Sequence, residues 1–181
     1  HEAGHALVAS VLEHSDPVHK ISIISRGRAA GYTLKLPFDD KKMHSRRNFL
    51  DDIAATLGGF VAEEELFNDV TTGPSSDLAV ITSLARDMVT RYGMSEALGP
   101  IAFGERQMGS EPFSEEVAAR IDSEVSRIIK EGRERAAAVI KERRPALDAI
   151  AQALIEKETI EREDFERILL AHGITPKVRE V

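Results

Sequence analysis

The chain of 181 residues contains no cysteine. Disulfide bonds and thiolate metal ligands are therefore excluded, and any bound zinc must be held by histidine, aspartate or glutamate. The lack of cysteine also fits a reducing compartment.

The sequence also lacks an excess of basic residues, because 24 lysines and arginines face 31 aspartates and glutamates, which gives a net charge of −7. We therefore expect no nucleic-acid partner, since phosphate binding requires a basic surface. No apolar run approaches the roughly 20 residues of a membrane span, and no signal peptide is recognisable. A phosphate-binding loop is missing as well, so these residues are not expected to use ATP themselves.

The first five residues, His1-Glu2-Ala3-Gly4-His5, have the pattern His-Glu-x-x-His. On a helix, the two histidines lie about one turn apart, roughly 6 Å along the axis, and can bind one metal ion from the same face. Glu2 then lies beside the water that such a metal activates, where a carboxylate can accept its proton. The pattern predicts a zinc-dependent hydrolase, although a packed histidine pair without a metal is the alternative.

Helices are predicted over most of the rest of the chain. The first should end near residues 15–17, and the apolar spacing of residues 45–67 predicts one long helix. Its central Gly58 and Gly59 indicate a close crossing, for which the first helix is our candidate. Another helix should begin with Ser75 or Ser76 as its cap and Asp77 in its first turn. The segment after residue 112 is predicted to be all helical.

Two β-prone segments interrupt this pattern, at residues 19–25 and 32–36. Two strands leave an open edge, to which an extended substrate can add itself as a further strand; an ordinary hairpin is the alternative. The fold class is therefore mainly α, a helical array with a small β-ribbon of two or three strands near the N-terminus.

A zinc peptidase needs a third protein ligand besides His1 and His5. The residue types that could supply it are His14, His19, His44, Glu63, Glu64, Glu65, Asp69 and Asp77. His14 lies too close along the first helix, and His19 and His44 have polar neighbours typical of surface residues. Helix-borne Glu64 competes with Asp77, and the local sequence alone favours the interpretation of Asp77 as a residue that begins a helix.

Several ordered motifs resemble the peptidase domain (M41) of the FtsH family of ATP-dependent zinc metalloproteases. Besides the first pentapeptide, they are Arg26-Gly27-Arg28-Ala29-x-Gly31, Gly58-Gly59 with Ala62-Glu63-Glu64, Thr72-Gly73-x-x-x-Asp77-Leu78, Met88-Val89-Thr90-x-Tyr92-Gly93-Met94-Ser95, Leu98-Gly99-Pro100 and Glu158-Thr159-Ile160. They extend over essentially the whole chain.

The resemblance implies specific roles. His1, His5 and Asp77 would bind one Zn²⁺ per chain, and Glu2 would be the general base. Glu64 remains the alternative ligand, or more simply a hydrogen-bonding partner of a ligand histidine. The substrate-binding strand would consist of Tyr32, Thr33, Leu34, Lys35 and Leu36.

The resemblance also implies a larger assembly. Residues 1–110 would form the zinc peptidase core with the β-ribbon, and residues 111–181 the C-terminal helical part and assembly surface of the same domain. We expect unfolded polypeptides as substrates and a homohexamer as the oligomer. Because the first helix needs a preceding turn, we expect the natural chain to continue before His1. An upstream AAA+ ATPase module would use ATP there, and an N-terminal anchor would hold the protein in a membrane with this domain on the cytoplasmic, matrix or stromal side.

Overall fold

The computed structural model describes residues 1–25, 31–37, 43–103 and 114–178. The elements in these ranges are α1 (Glu2–Val11), β1 (Val18–Ser22), β2 (Tyr32–Lys35), α2 (Arg46–Thr56), α3 (Gly58–Phe67), α4 (Ser75–Thr90), α5 (Glu115–Glu142), α6 (Arg144–Lys157), β3 (Thr159–Glu161) and α7 (Arg162–Ala171). The predicted helical array with a small β-ribbon is confirmed. Residues 26–30, which belong to the motif Arg26-Gly27-Arg28-Ala29-x-Gly31, lie outside the described residues.

The three strands form one antiparallel sheet in the order β2-β1-β3. Ile21 in the central strand lies opposite Thr33 on one side and Ile160 on the other, and it is fully buried. Strand β2 is shorter than predicted by one residue, Leu36, whose backbone N–H still donates to Pro17 O at 3.1 Å. Within the described residues, β2 is therefore an edge strand that pairs with β1 alone.

Helix α1 lies at the centre of the molecule. Ala6, Leu7, Val8 and Ala9 are completely buried, and the helix packs against α2, α3, α5 and α6. It ends at Val11, earlier than the predicted residues 15–17. The ammonium group of Lys177 binds the carbonyl oxygens of Ala9, Leu12 and Ser15 at this point, a tertiary contact that the local sequence does not indicate.

The prediction of one long helix over residues 45–67 is wrong, because the segment forms α2 and α3 with a break at Leu57. The close crossing predicted at the glycine pair is confirmed. A Cβ atom added to Gly4 of α1 would lie 2.3 Å from Gly58 O, and one added to Gly58 would lie 2.5 Å from Gly4 O. The backbones of α1 and α3 thus touch where no side chain fits.

The helices after residue 113 pack on the same core. Helix α5 contacts α1, α2, α3 and α4, and one hydrophobic cluster includes residues from α1 through α7. Within the described ranges, none of the helices combines the length and the apolarity that crossing a bilayer requires. The predicted boundary at residues 110 and 111 lies outside the described residues and stays a prediction.

Candidate metal centre

The N-terminal turn of α1 presents both histidine rings to one point. The ring centroids of His1 and His5 are 4.6 Å apart with an interplanar angle of 86°, and the two Nε2 atoms are 3.0 Å apart. This approach follows from the four-residue spacing, which places both side chains on one helix face.

An acceptor oxygen lies next to Nδ1 of each ring. His1 Nδ1 lies 2.8 Å from Glu63 Oε1, and His5 Nδ1 lies 3.0 Å from the carbonyl oxygen of Ala55. Because a carbonyl or an ionised carboxylate can only accept, these contacts favour a proton on each Nδ1, although Gly59 N–H also lies 3.3 Å from His5 Nδ1. In its neutral form, each ring protonated at Nδ1 keeps a free lone pair on Nε2, which is the form of imidazole that binds a metal.

Asp77, in the first turn of α4, completes the cluster. Its Oδ2 atom lies 3.3 Å from His1 Nε2 and 3.3 Å from His5 Nε2. Burial acts to raise the pKa of Asp77, but the hydrogen bonds to His1 and His5 outweigh burial and hold this pKa well below its usual value. The hydrogen bond to Asp77 in turn raises the pKa of His1, against the effect of burial and with a further contribution from Glu63.

The start of α4 differs from the prediction. The N-cap residue is Pro74, without a side-chain cap hydrogen bond, so Ser75 and Ser76 are not caps. The carboxylate of Asp77 points towards His1 and His5. A residue that only begins a helix would not need this orientation.

The donor set fits zinc. Three ligand atoms at about 2.0–2.1 Å from a tetrahedral zinc ion are about 3.3 Å from one another, close to the observed separations of 3.0, 3.3 and 3.3 Å. Gly59 of α3 leaves room for the rings, because a Cβ atom there would lie 2.6 Å from both His1 Cε1 and His5 Nε2. In the part of the chain that the structure describes, this is the one group of three such side chains that converges on a common point.

Glu63, and not Glu64, is the carboxylate that is hydrogen-bonded to His1. Glu63 is buried, and its Oε2 atom accepts hydrogen bonds from Thr71 N and Thr71 Oγ1, both at 2.9 Å. Burial acts to raise the pKa of Glu63, but the hydrogen bonds from Thr71 and His1 lower it overall. An ionised Glu63 holds the Nδ1 proton of His1 and so directs Nε2 towards Asp77.

Glu64 is turned away from this cluster. Both of its carboxylate oxygens lie 2.6 Å from Arg133 Nη2 of α5, while neighbouring Glu65 pairs with Lys141 at 3.0 Å. The spacing of the sequence does contain a signal that favours Glu63 over Glu64. Glu63 follows Gly59 by four residues, so both lie on the α3 face that meets α1.

Glu2 lies beside the metal centre and is held by the edge strand. Its Oε2 atom accepts a hydrogen bond from Thr33 Oγ1 at 2.8 Å. Gly31 also packs closely against Glu2, since a Cβ atom at Gly31 would lie 2.8 Å from Glu2 Oε1. The carboxylate is thereby fixed next to His1 and His5 in a cleft of about 1110 Å³.

The cleft also receives part of the predicted substrate strand. Tyr32, Thr33 and Lys35 line it, whereas Leu34 and Leu36 are exposed side chains outside its lining.

The remaining histidines considered as ligands lie elsewhere: His14 is 3.9 Å from Glu13, His19 is in β1, and His44 stacks on Phe49. Asp69 accepts a hydrogen bond from the neighbouring N–H of Val70.

Comparison with known proteins decides the family. The family model of peptidase family M41 matches residues 1–168. The chain belongs to peptidase family M41. This M41 domain resembles the ATP-dependent zinc metalloproteases called FtsH, as the sequence motifs predicted.

Three curated relatives illustrate the similarity. FtsH 1 of Thermoanaerobacter sp. (strain X514) is 48% identical over 183 residues, which are 96% of this chain and 30% of the relative. FtsH of Thermotoga maritima is 49% identical over 179 residues, 93% of this chain and 29% of the relative. FtsH of Bacillus subtilis is 42% identical over 187 residues, 98% of this chain and 29% of the relative. The M41 chain thus spans less than a third of the length of these relatives.

Proposed function

We propose that this M41 domain is a zinc metalloendopeptidase that hydrolyses peptide bonds in unfolded polypeptides. The observation that supports this most directly is the convergence of His1 Nε2, His5 Nε2 and Asp77 Oδ2 within 3.3 Å of one another, with Glu2 beside them. His1, His5 and Asp77 would hold the zinc ion. When bound there, zinc would polarise the scissile carbonyl and acidify a water molecule.

The side chains around the ion supply the proton transfers and the orientation. Glu2 accepts the proton of the attacking water and later passes it to the leaving amine. Thr33 holds the Glu2 carboxylate in place by donating a hydrogen bond of 2.8 Å. Glu63 holds the ring of His1, and the carbonyl of Ala55 holds the ring of His5.

The open edge of β2 is the proposed substrate-binding surface. Backbone groups of alternate residues in a strand point to opposite edges, and Leu36 N donates towards β1. The N–H and C=O groups of Thr33 and Lys35 therefore face the open edge. An extended polypeptide that pairs there is held by main-chain hydrogen bonds irrespective of its sequence, which suits unfolded substrates.

The relatives named ATP-dependent suggest the setting in which the domain works. We propose that it acts within a larger homohexameric protein, in which an AAA+ module uses ATP to unfold substrates and a membrane anchor fixes the location. Residues 111–181 would contribute to the assembly surface of the ring.

The Glu2→Gln variant tests the role of the base. We expect hydrolysis of an unstructured casein-like substrate to fall by about 10²–10⁴, because an amide cannot accept the water proton. Bound zinc, measured by atomic absorption, should stay at one ion per chain, since the three ligands are unchanged. Undiminished hydrolysis in Glu2→Gln would contradict the assignment.

The third ligand is tested separately with Asp77→Asn and Glu64→Gln. We expect Asp77→Asn to lose zinc, because the ionised oxygen near both histidines becomes a neutral amide. Glu64→Gln is the matched control: its carboxylate pairs with Arg133, so zinc should be retained. The assignment fails if only Glu64→Gln loses the metal.

Two alternative functions would be supported by other results of zinc and activity measurements. Stoichiometric zinc without hydrolysis in assembled rings would indicate a noncatalytic helical assembly module with a relic or structural metal site. Full activity without any ATPase module in the natural protein would indicate a stand-alone soluble metallopeptidase.

A further inference from the structure

We propose that Thr71 is a positioning residue of the candidate metal centre. Its hydroxyl group joins the loop before α4 to Glu63 and thereby aligns Asp77 with His1. This role rests on the zinc site of the function proposed above and adds to it a residue that is not itself a ligand. Thr71 lies in the loop between α3 and α4, six residues before Asp77.

The hydroxyl group of Thr71 makes hydrogen bonds in two directions. It donates to Glu63 Oε2 at 2.9 Å, and the backbone N–H of Thr71 donates to the same oxygen, also at 2.9 Å. The hydroxyl oxygen accepts from the backbone N–H of Gly73 at 3.0 Å. A hydroxyl group has one proton and two lone pairs, so it can donate and accept at the same time. Thr71 thus joins a carboxylate of α3 to the turn that leads into α4.

The two oxygens of the Glu63 carboxylate have different partners. Oε2 is bound by Thr71, whereas Oε1 lies 2.8 Å from His1 Nδ1. Because a carboxylate is planar and rigid, fixing Oε2 also fixes the direction of Oε1. Glu63 is buried, which strengthens these hydrogen bonds relative to those on an exposed surface. The orientation of the His1 ring therefore depends on Thr71 through Glu63.

The same loop sets the position of Asp77. Helix α4 packs mainly against α2 and α5, whereas the two histidines lie at the N-terminal end of α1. The first turn of α4 carries Asp77, whose Oδ2 atom lies 3.3 Å from His1 Nε2. Contacts lead from His1 through Glu63 to Thr71. The loop then leads to Asp77, which meets His1 again, so a change at Thr71 alters the separation of two proposed ligands.

The Thr71→Val variant removes the hydroxyl group and keeps the shape of the side chain. Thr71 is exposed, so valine leaves no cavity in the core. We expect the zinc dissociation constant, measured by competition with a chromogenic chelator, to rise about tenfold. This is the lower end of the range for partners of metal ligands, because the Thr71 N–H still holds Glu63. Wild-type zinc affinity in Thr71→Val would overturn the proposal.

Two further variants show whether the hydroxyl group itself is responsible. Thr71→Ser keeps it and should bind zinc nearly as tightly as the wild type. Thr72→Val is the matched control, because Thr72 is the next residue of the same loop and also lines the cleft, yet its hydroxyl group makes no hydrogen bond within the described residues. Its zinc affinity should be unchanged. If Thr71→Ser binds zinc as weakly as Thr71→Val, or if Thr72→Val loses as much affinity, the hydroxyl group of Thr71 has no specific role.

A double-mutant cycle tests whether Thr71 acts through Glu63. Glu63→Met has a side chain of similar length without an oxygen atom, so it cannot transmit a constraint from Thr71 to His1. We expect Thr71→Val to weaken zinc binding much less in the Glu63→Met background than in the wild type, because the two residues act as a unit. An equal loss in both backgrounds would show that Thr71 acts independently of Glu63, and the proposal would fail.

Zinc affinity and hydrolysis separate this role from the peptidase function. A wild type that binds zinc and shows the expected effect of Thr71→Val, but hydrolyses no casein-like substrate, would support the role of Thr71 and contradict the peptidase. Hydrolysis by the wild type together with unchanged zinc affinity in Thr71→Val would support the peptidase and overturn the role of Thr71. A wild type that binds no zinc would contradict both.

Discussion

Gly59 shows how much the candidate metal centre depends on a position without a side chain. The residue lies in α3, and its Cα faces the two imidazoles so closely that a methyl group would overlap both rings. The position of Glu63 one turn later then allows α3 to provide a contact surface for the rings and a hydrogen bond to His1. Helix α3 thus provides the contact surface for the rings and the hydrogen bond to His1, although it contributes no metal ligand in our proposal.

The Gly59→Ala variant tests this dependence. Alanine has the higher helix propensity, by about 1 kcal/mol, so α3 itself should not be weakened. The added Cβ atom would lie 2.6–2.7 Å from atoms of His1 and His5, so we expect a large loss of zinc affinity and of peptidase activity. Isothermal titration with zinc measures the first effect. Wild-type zinc affinity in Gly59→Ala would show that the rings have room to move.

Helix α5 is joined to the segment after α4 by a buried charged cluster. Glu124 Oε2 accepts a hydrogen bond from Ser95 Oγ at 2.6 Å, and Glu124 Oε1 accepts one from Arg127 Nε at 2.8 Å. The hydrogen bond with Arg127 is the main cause that lowers the pKa of Glu124 from 4.5 to about 2; burial acts against it, and Ser95 adds to it. Because Glu124 and Ser95 are both buried, their hydrogen bond fixes the position of this segment against α5.

The stability that Glu124 provides should depend on pH. Since its pKa is lower in the folded state, the stabilisation is fully present above about pH 4.5 and is lost as the pH falls through about 2. We expect Glu124→Gln to reduce the free energy of unfolding by about 1.5–3 kcal/mol at pH 7, the range for hydrogen bonds to charged groups. The difference from wild type, measured by urea unfolding, should shrink between pH 4.5 and pH 2.

Glu134→Gln is the control for this experiment. Glu134 lies on the same helix, but it is 60% exposed and 4.0 Å from Lys130. Such a surface pair contributes about 0–1 kcal/mol. A Glu124→Gln difference that stays constant with pH would contradict the role of its ionised form.

The molecule as a whole is held together by contacts between distant parts of the sequence. Lys177 Nζ donates to Ala9 O at 2.8 Å and to Leu12 O at 2.6 Å, and it also binds Ser15 O. These carbonyls lie at and just beyond the C-terminal end of α1, where a positive charge also interacts favourably with the helix dipole. The segment after α7 thereby supports the helix that carries both histidines.

Lys177→Met should therefore destabilise the fold. We expect the free energy of unfolding to fall by about 1–3 kcal/mol, because three carbonyl oxygens lose their charged donor. Lys130→Met, whose side chain is 75% exposed, should change it by less than about 0.5 kcal/mol. Urea unfolding of both variants measures the comparison, and equal effects would show that Lys177 has no special role.

The sequence predicted the parts of this molecule that depend on local pattern. The four-residue spacing of His1 and His5 and the alternation in β1 and β2 each specify geometry within one element, and the structure has these elements. The family resemblance added Asp77, since nothing in the local sequence distinguishes a ligand from a helix-start residue. The structure brings Asp77 within 3.3 Å of both histidines.

What the sequence did not predict depends on contacts between elements. The break at Leu57 lies where α3 crosses α1 at Gly58, and the early end of α1 coincides with the binding of Lys177. The distinction between Glu63 and Glu64 is partly of the same kind: the four-residue spacing from Gly59 favours Glu63, but the partners of the two glutamates come from other parts of the chain. Arg133 and Thr71 decide it, and neither residue is recognisable as a partner from the sequence around the glutamates.

The contacts of Lys177 and of β3 have a consequence for the order of events during synthesis. The partners of Lys177 precede it by 162 to 168 residues, and β1 meets β3 across a similar distance in sequence. The helix next to both histidines is translated before these two supports. We therefore expect the candidate metal centre to reach its final geometry only after β3 and Lys177 have been translated, so that the proposed peptidase would not act on its own unfolded chain.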